Sequence, residues 1–230
     1  MSKKIIGIPG YKSESSFGCG VAHLEFISEF GNPRILMPHE ENVDIDCLYL
    51  PGGLDLNPAS YGKVPRYKTS NQDVFKQFFY DNRLDSYIER KIPIFAVCLG
   101  AQMIAAKFNM EIIQNLKWHP QSKDRWTSGH HINMKRGLLP RYTEKTAPKD
   151  RMEVNSHHHQ AVICELGDNN LPIDTKETEV LAWYNDEDMN QPLCVVEAFR
   201  HRKLPIVGIQ WHPEEFYDEL SIKLFTDLLQ

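Results

Sequence analysis

An apolar run, Ile92 to Val97, ends at Cys98 and passes directly into Leu99–Phe108, where Met103, Ile104 and Ala106 give a helix something to pack with. The run has the length and composition of a buried strand. A strand that turns into a helix with no intervening loop restricts the chain to architectures in which helices pack on sheets. The small residues Ala96 and Gly100 flank the cysteine, as a tight turn requires. Such a turn pushes the side chain out of the sheet and over the amino end of the helix. There the macrodipole and the unpaired N–H groups favour thiolate over thiol. The junction is therefore a site for nucleophilic chemistry.

The rest of the first half alternates in the same way. Lys4–Pro9 reads as a strand and Val21–Phe30 as a helix closed by Gly31; Arg34–Met37 and Cys47–Leu50 read as further strands, the latter running into Pro51-Gly52-Gly53. Asn71–Arg90 carries one apolar stripe, which predicts a single helix capped by Asn71. Ile92–Val97 is the central strand, and Glu111–Gln114 follows the Cys98 helix. In the second half, Ile132–Met134, Ala161–Cys164, Val180–Trp183, Cys194–Phe199 and Ile206–Gln210 are strand-like with no long helix between them; Phe216–Leu229 is a closing helix. The expected fold is α/β and three-layered: a mostly parallel central sheet, helices on both faces, and an antiparallel extension in the C-terminal half. No linker or repeat marks a boundary, so residues 1–230 are expected to form one domain.

Composition excludes several function classes. A net charge of −5 gives no general reason to expect nucleic-acid binding. No apolar run approaches the ~20 residues of a membrane span, and Met-Ser-Lys-Lys leads into a strand rather than a signal sequence. Five scattered cysteines, with no Cys-x-x-Cys, suit free thiols in a reducing cytoplasm. Cys19, Cys47, Cys164 and Cys194 lack the context of Cys98 and read as structural.

Near the C-terminus stands Gln210-Trp-His-Pro-Glu214-Glu215. In an extended segment residues i and i+2 share a side, so His212 and Glu214 can meet, and Pro213 holds His212 extended. A carboxylate beside an imidazole fixes the tautomer of a general base, and Cys98, His212 and Glu214 complete a nucleophilic triad. Glu215 competes for the acid role but points elsewhere. Gly52-Gly53 after a strand lets backbone N–H groups approach a substrate, so the N–H groups of Gly53 and Leu99 could form a two-donor oxyanion hole.

Leu50-Pro-Gly-Gly53, Val97-Cys-Leu-Gly-Ala-Gln102 and Gln210-Trp-His-Pro-Glu214 resemble the class I (triad) glutamine amidotransferases, whose fold is flavodoxin-like. Gly52–Gly62 and Val154-Asn-Ser-His-His-His-Gln-Ala-Val162 look like the γ-glutamyl-hydrolase branch, which includes γ-glutamyl-γ-aminobutyrate hydrolase. The resemblance implies that Cys98 attacks a γ-glutamyl carbonyl to give a thioester, with His212 as base and Glu214 orienting it. It also implies that Gly52, Gln102 and the loop Asn155-Ser156-His157 hold the glutamyl moiety. Two departures leave the triad untouched: Ala96 stands where many relatives have Gly, and Asn109 where they carry a Gly pair after the helix. Loops 117–129 and 135–151 match nothing in the family pattern and are candidates to select the leaving group, while loops 54–70 and 117–129 flank the proposed site in sequence order and read as solvated surface or as entrance walls; Trp118, Trp126 and Tyr61 read equally as entrance lining or as aromatic packing. Asp55 reads equally as a substrate contact or a turn cap.

The run His157-His158-His159, with His119, His130 and His131, invites a metal reading. Consecutive residues of an extended segment alternate faces, so these three cannot converge on one ion, and no metal or cofactor is expected. Three functions compete. The first is a self-contained hydrolase of small γ-glutamyl amides, consistent with the absence of a synthetase domain or a Walker A motif. The second is a glutaminase subunit that passes ammonia to a separate synthetase. The third is a non-catalytic regulatory module on the same fold.

Overall fold

A computed structural model describes residues 3–12, 16–66, 72–117, 119–139, 151–185 and 193–230. In chain order the elements are β1 (Ile5–Pro9), β2 (Tyr11–Lys12), β3 (Phe17–Gly18), α1 (Val21–Ser28), β4 (Asn32–Leu36) and β5 (Cys47–Leu50). Then come α2 (Val74–Asn82), α3 (Leu84–Glu89), β6 (Ile94–Val97), α4 (Leu99–Lys107), β7 (Glu111–Ile113), β8 (His130–Met134) and β9 (Arg151–Val154). The chain closes with β10 (Ala161–Glu165), β11 (Thr178–Tyr184), β12 (Leu193–His201), β13 (Ile206–Ile209) and α5 (Glu219–Leu228).

The sheet runs β4-β1-β5-β6-β13-β12-β11-β8-β9. Its first five strands are parallel, and from β12 onward the pairing is antiparallel. The parallel core with an antiparallel extension is the architecture expected from the alternation. Alternate residues of the central strands supply opposite faces, as a two-residue period demands. Leu48, Leu50, Ile94 and Ala96 pack with α2, α3 and α4 through Phe79, Tyr87 and Ile104. Cys47, Tyr49, Phe95 and Val97 pack with α1 and α5 through Phe26, Leu220 and Phe225.

The sheet forks at β12. Residues 198–200 of that strand pair with β13, whereas residues 193–195 pair with β10, which in turn pairs with β7. Between the two stretches, the β11 register slips, so that Glu197 sits at a bulge. Cys164 and Cys194 oppose each other in register on β10 and β12, their sulfurs 3.0 Å apart.

Three expectations are corrected. The stripe predicted as one helix is two, broken at Arg83 (φ −125°). Asn82 spends its amide on the Phe78 carbonyl, and the break lets Leu84 and Tyr87 join Phe79 and Tyr80 in one core. The cap is Asp73, whose carboxylate accepts from the N–H groups of Phe75 and Lys76; Asn71 lies outside the described residues. Strand β9, polar at every other position, was not expected as a strand; it lies at the sheet edge.

Candidate active site

Cys98 sits at the carboxyl end of β6 with φ 49° and ψ −109°, a left-handed conformation that a non-glycine residue adopts only when its surroundings hold it there. Two contacts do so: its N–H donates to the Ile209 carbonyl, and its own carbonyl accepts from Gln102 N at the first turn of α4. Gly100 gives the turn its room. A Cβ there would lie 2.3 Å from the Leu50 carbonyl oxygen, so α4 can begin this close to β5 only without a side chain.

His212 and Glu214 meet as the i, i+2 spacing predicted. His212 Nδ1 lies 2.7 Å from Glu214 Oε1, which leaves the other ring nitrogen for Cys98, and the two side chains line the same cavity. Burial opposes the imidazolium, but the neighbouring Cys98 and Glu214 outweigh it and hold the His212 pKa well above the ordinary value. Glu214 is buried, which would raise its pKa; His212 brings it below the usual carboxylate range. Glu215 pairs with Arg125 at 2.8 Å, and both line the cavity beside the triad.

This cavity of about 930 Å³ opens over these groups. Cys98, His212, Glu214, Gly52, Gly53 and His157 line it, together with His23, Lys76 and Arg125. A Cβ on Gly52 would meet the His212 ring at 2.6 Å. Leu99 opens α4 beside the cysteine.

Gln102, Asn155 and Ser156 belong to a different layer: all three are buried, and their described bonds go to protein. Gln102 Nε2 donates to the Gln160 carbonyl and to Gln210 Oε1. Asn155 clamps the backbone of His212 from both sides, its Oδ1 accepting from His212 N at 2.9 Å and its Nδ2 donating to His212 O at 3.1 Å. The Ser156 N–H donates to Ser122 Oγ. The histidine run alternates as expected: His157 faces the cavity, His158 is buried, and His159 turns to Asp55 at 2.9 Å. Asp55 thus has a protein partner. Trp126 is exposed, and Tyr61 packs against the core rather than lining the cavity. Trp118 and residues 67–70 and 140–150 of the three loops lie outside the described residues.

Sequence reasoning missed two site residues. Lys76, nearly buried in α2, donates through Nζ to the Gly52 carbonyl, and burial lowers its pKa. Its signal was a lysine on the apolar side of an amphipathic stripe. His23, in α1, lies 3.3 Å from Glu214 Oε1 and 3.0 Å from the Tyr49 hydroxyl. Burial lowers its pKa to about 4 despite Glu214.

The His23 shift has a definite sign. Its folded pKa lies below the ordinary 6.5, so between pH 6.5 and about 4 the unfolded chain holds a proton that the folded one refuses. Stability is retained above that window and falls as pH falls through it. Over the 1.5 units from pH 6.5 to pH 5 this one group costs roughly 2 kcal/mol. Urea titrations at pH 8 and pH 5 should show a smaller acid loss in His23→Gln than in the wild type by about that amount. Equal losses would exclude the assignment.

The sequence pattern of the Peptidase C26 family matches residues 25–214, most of the chain. The protein belongs to that family. Among curated relatives of this C26 protein, the glutamine amidotransferase-like protein YvdE of Lactococcus lactis is 26% identical over 227 residues, spanning 89% of this chain and 86% of its own. One subunit of the glutamine-hydrolysing GMP synthase of Methanococcus aeolicus is 28% identical, with 85% and 79% covered. Among solved structures, PurLQS from Thermotoga maritima superposes with a TM-score of 0.59 at 15% identity, over 99% of this chain and 98% of the matched one. A glutamine amidotransferase from the same organism gives 0.56 at 14% identity, over 99% and 82%. These superpositions establish the flavodoxin-like fold of class I glutamine amidotransferases. The C26 assignment and the curated relatives make the chain an enzyme of the hydrolase kind. No helix among the described residues is long and apolar enough to cross a membrane.

Proposed function

We propose that this C26 enzyme hydrolyses a γ-glutamyl amide, glutamine or a small γ-glutamyl amine, through Cys98, His212 and Glu214. The observation that carries the reading is the strained Cys98 sharing one cavity with a histidine whose Nδ1 is fixed by Glu214 at 2.7 Å. Cys98 sulfur attacks the γ-carbonyl carbon while its proton resides on His212. That proton passes to the departing nitrogen, the C–N bond breaks, and a thioester remains. Water then gives a proton to His212 and attacks the same carbon. The C–S bond breaks and glutamate leaves.

The negative oxygen of each tetrahedral intermediate is assigned to the N–H groups of Gly53 and Leu99. Lys76 supports this assignment. In a trans peptide the carbonyl and the following N–H point in opposite directions, so holding the Gly52 carbonyl aims the Gly53 N–H the other way. Lys76→Met should lower kcat by about 10²-fold, near the loss of one oxyanion donor, with KM changing less. Asn155→Ala frees the His212 backbone and should also cost about 10² in kcat, measured as ammonia release from glutamine.

The test of the function is direct. Purified protein is incubated with glutamine and with γ-glutamyl-γ-aminobutyrate, and glutamate release is followed. Turnover by the chain alone supports the self-contained hydrolase. A second reading, a glutaminase subunit feeding ammonia to a synthetase, is favoured by the likeness to a GMP synthase subunit. It predicts turnover only when a partner synthetase is added. No hydrolysis of either substrate under both conditions would refute the proposal.

A further inference from the structure

A second constellation lies one strand away from the triad and takes no part in its chemistry. His119 from the segment after β7, His130 at the start of β8, His158 from the extended run and Glu197 at the β12 bulge come together in the interior. None of them lines the cavity. His130 Nε2 and His119 Nε2 stand 3.1 and 3.6 Å from the same oxygen, Glu197 Oε1. The His119 ring lies 4.5 Å from that of His130 and 4.6 Å from that of His158, centroid to centroid. We propose that His119, His130 and Glu197 bind one divalent transition-metal ion, zinc being the best match, with the His158 ring beside the fourth position.

Geometry and donor chemistry support the site. One ligand atom from each of His119, His130 and Glu197 falls within 4.8 Å of the others. Ligands at about 2.0–2.1 Å from a tetrahedral zinc ion stand roughly 3.3 Å apart, close to the two distances to Glu197. His158 has the arrangement of a metal-binding imidazole. Its Nδ1 lies 3.0 Å from the Gln160 carbonyl, and its Nε2 has no hydrogen-bond partner among the described residues. Glu197 Oε2 is likewise buried without a hydrogen bond, a costly state for a carboxylate that a dication would relieve.

Such an ion would join β8 and β12 to the His119 segment and the histidine run, which already share the backbone bonds Leu116 N to His159 O and Ser122 N to Ser156 O. Two of these segments are tied to the triad: the Glu197 carbonyl accepts from Gln210 N, and His158 lies three residues beyond the Asn155 that clamps His212. The ion would then brace the frame of the base without touching substrate.

The test reads metal binding and not turnover, so it stands apart from the proposed activity. Full-length Cys98→Ser protein, which cannot offer the triad sulfur to a metal, is stripped with chelator and titrated with zinc(II) against a chromophoric competitor. One equivalent should bind, and Glu197→Gln and His119→Asn in the same background should each weaken it by at least about 100-fold. Absence of stoichiometric binding, or binding unchanged by both substitutions, would overturn the site. If circular dichroism shows that the variants do not fold, X-ray absorption of the zinc-loaded Cys98→Ser protein decides. Nitrogen and oxygen ligands with at least two imidazoles support the site, and sulfur or fewer imidazoles refutes it.

Discussion

Replacing Cys98 by serine should leave the protein folded and reduce hydrolysis of γ-glutamyl amides by about 10⁴-fold or more, the scale on which loss of a nucleophile is felt. The two side chains are nearly isosteric, and the backbone bonds that hold φ at 49° involve main-chain atoms only. Structure is therefore preserved while chemistry is not. A serine hydroxyl ionises far less readily than a thiol, and the His212–Glu214 pair here is poised beside a sulfur. Thermal melts of the two proteins should coincide. A glutamine-analogue electrophile should add its mass to the wild type at Cys98 and to nothing in the variant. Retained turnover in the serine protein, or labelling at another cysteine, would remove Cys98 from the mechanism.

Gly100→Ala should destabilise the fold by about 3 kcal/mol or more, read as a lower urea midpoint at unchanged slope. Large effects of a single methyl are uncommon, and the reason here is what the methyl meets. It would stand 2.3 Å from the Leu50 carbonyl oxygen and 2.7 Å from Leu50 Cβ. Leu50 ends the central strand β5, which is paired to β6, so neither atom can swing aside as a flexible side chain would. Helix α4 must lift from the sheet, and Cys98 at its amino end moves with it. Activity should therefore fall along with stability. A midpoint within error of the wild type would mean that the helix approaches the strand less closely than described.

Features encoded by short, contiguous residue patterns were legible in the sequence. The turn at Cys98 is written in six residues, and the meeting of His212 with Glu214 follows from two-residue alternation about a proline. Features that depend on distant partners were not. The break at Arg83 reflects how Leu84 and Tyr87 find the core, which the uninterrupted stripe concealed. Asn155 was placed against substrate by family resemblance, whereas its amide grips the His212 backbone 57 residues away. The alternation of His157, His158 and His159 was read correctly. It says nothing about His119 and His130, which arrive beside His158 from other segments.

The order of strands fixes when this enzyme can exist during synthesis. β13 lies between β6, its parallel partner, and β12, its antiparallel one, yet follows both in the sequence. Until residues 206–209 leave the ribosome, β6 and β12 each present an unpaired edge in the middle of the future sheet, the kind of surface that invites aggregation. The same four residues lead directly to His212. The strand that closes the sheet is thus also the one that carries the base to the thiol.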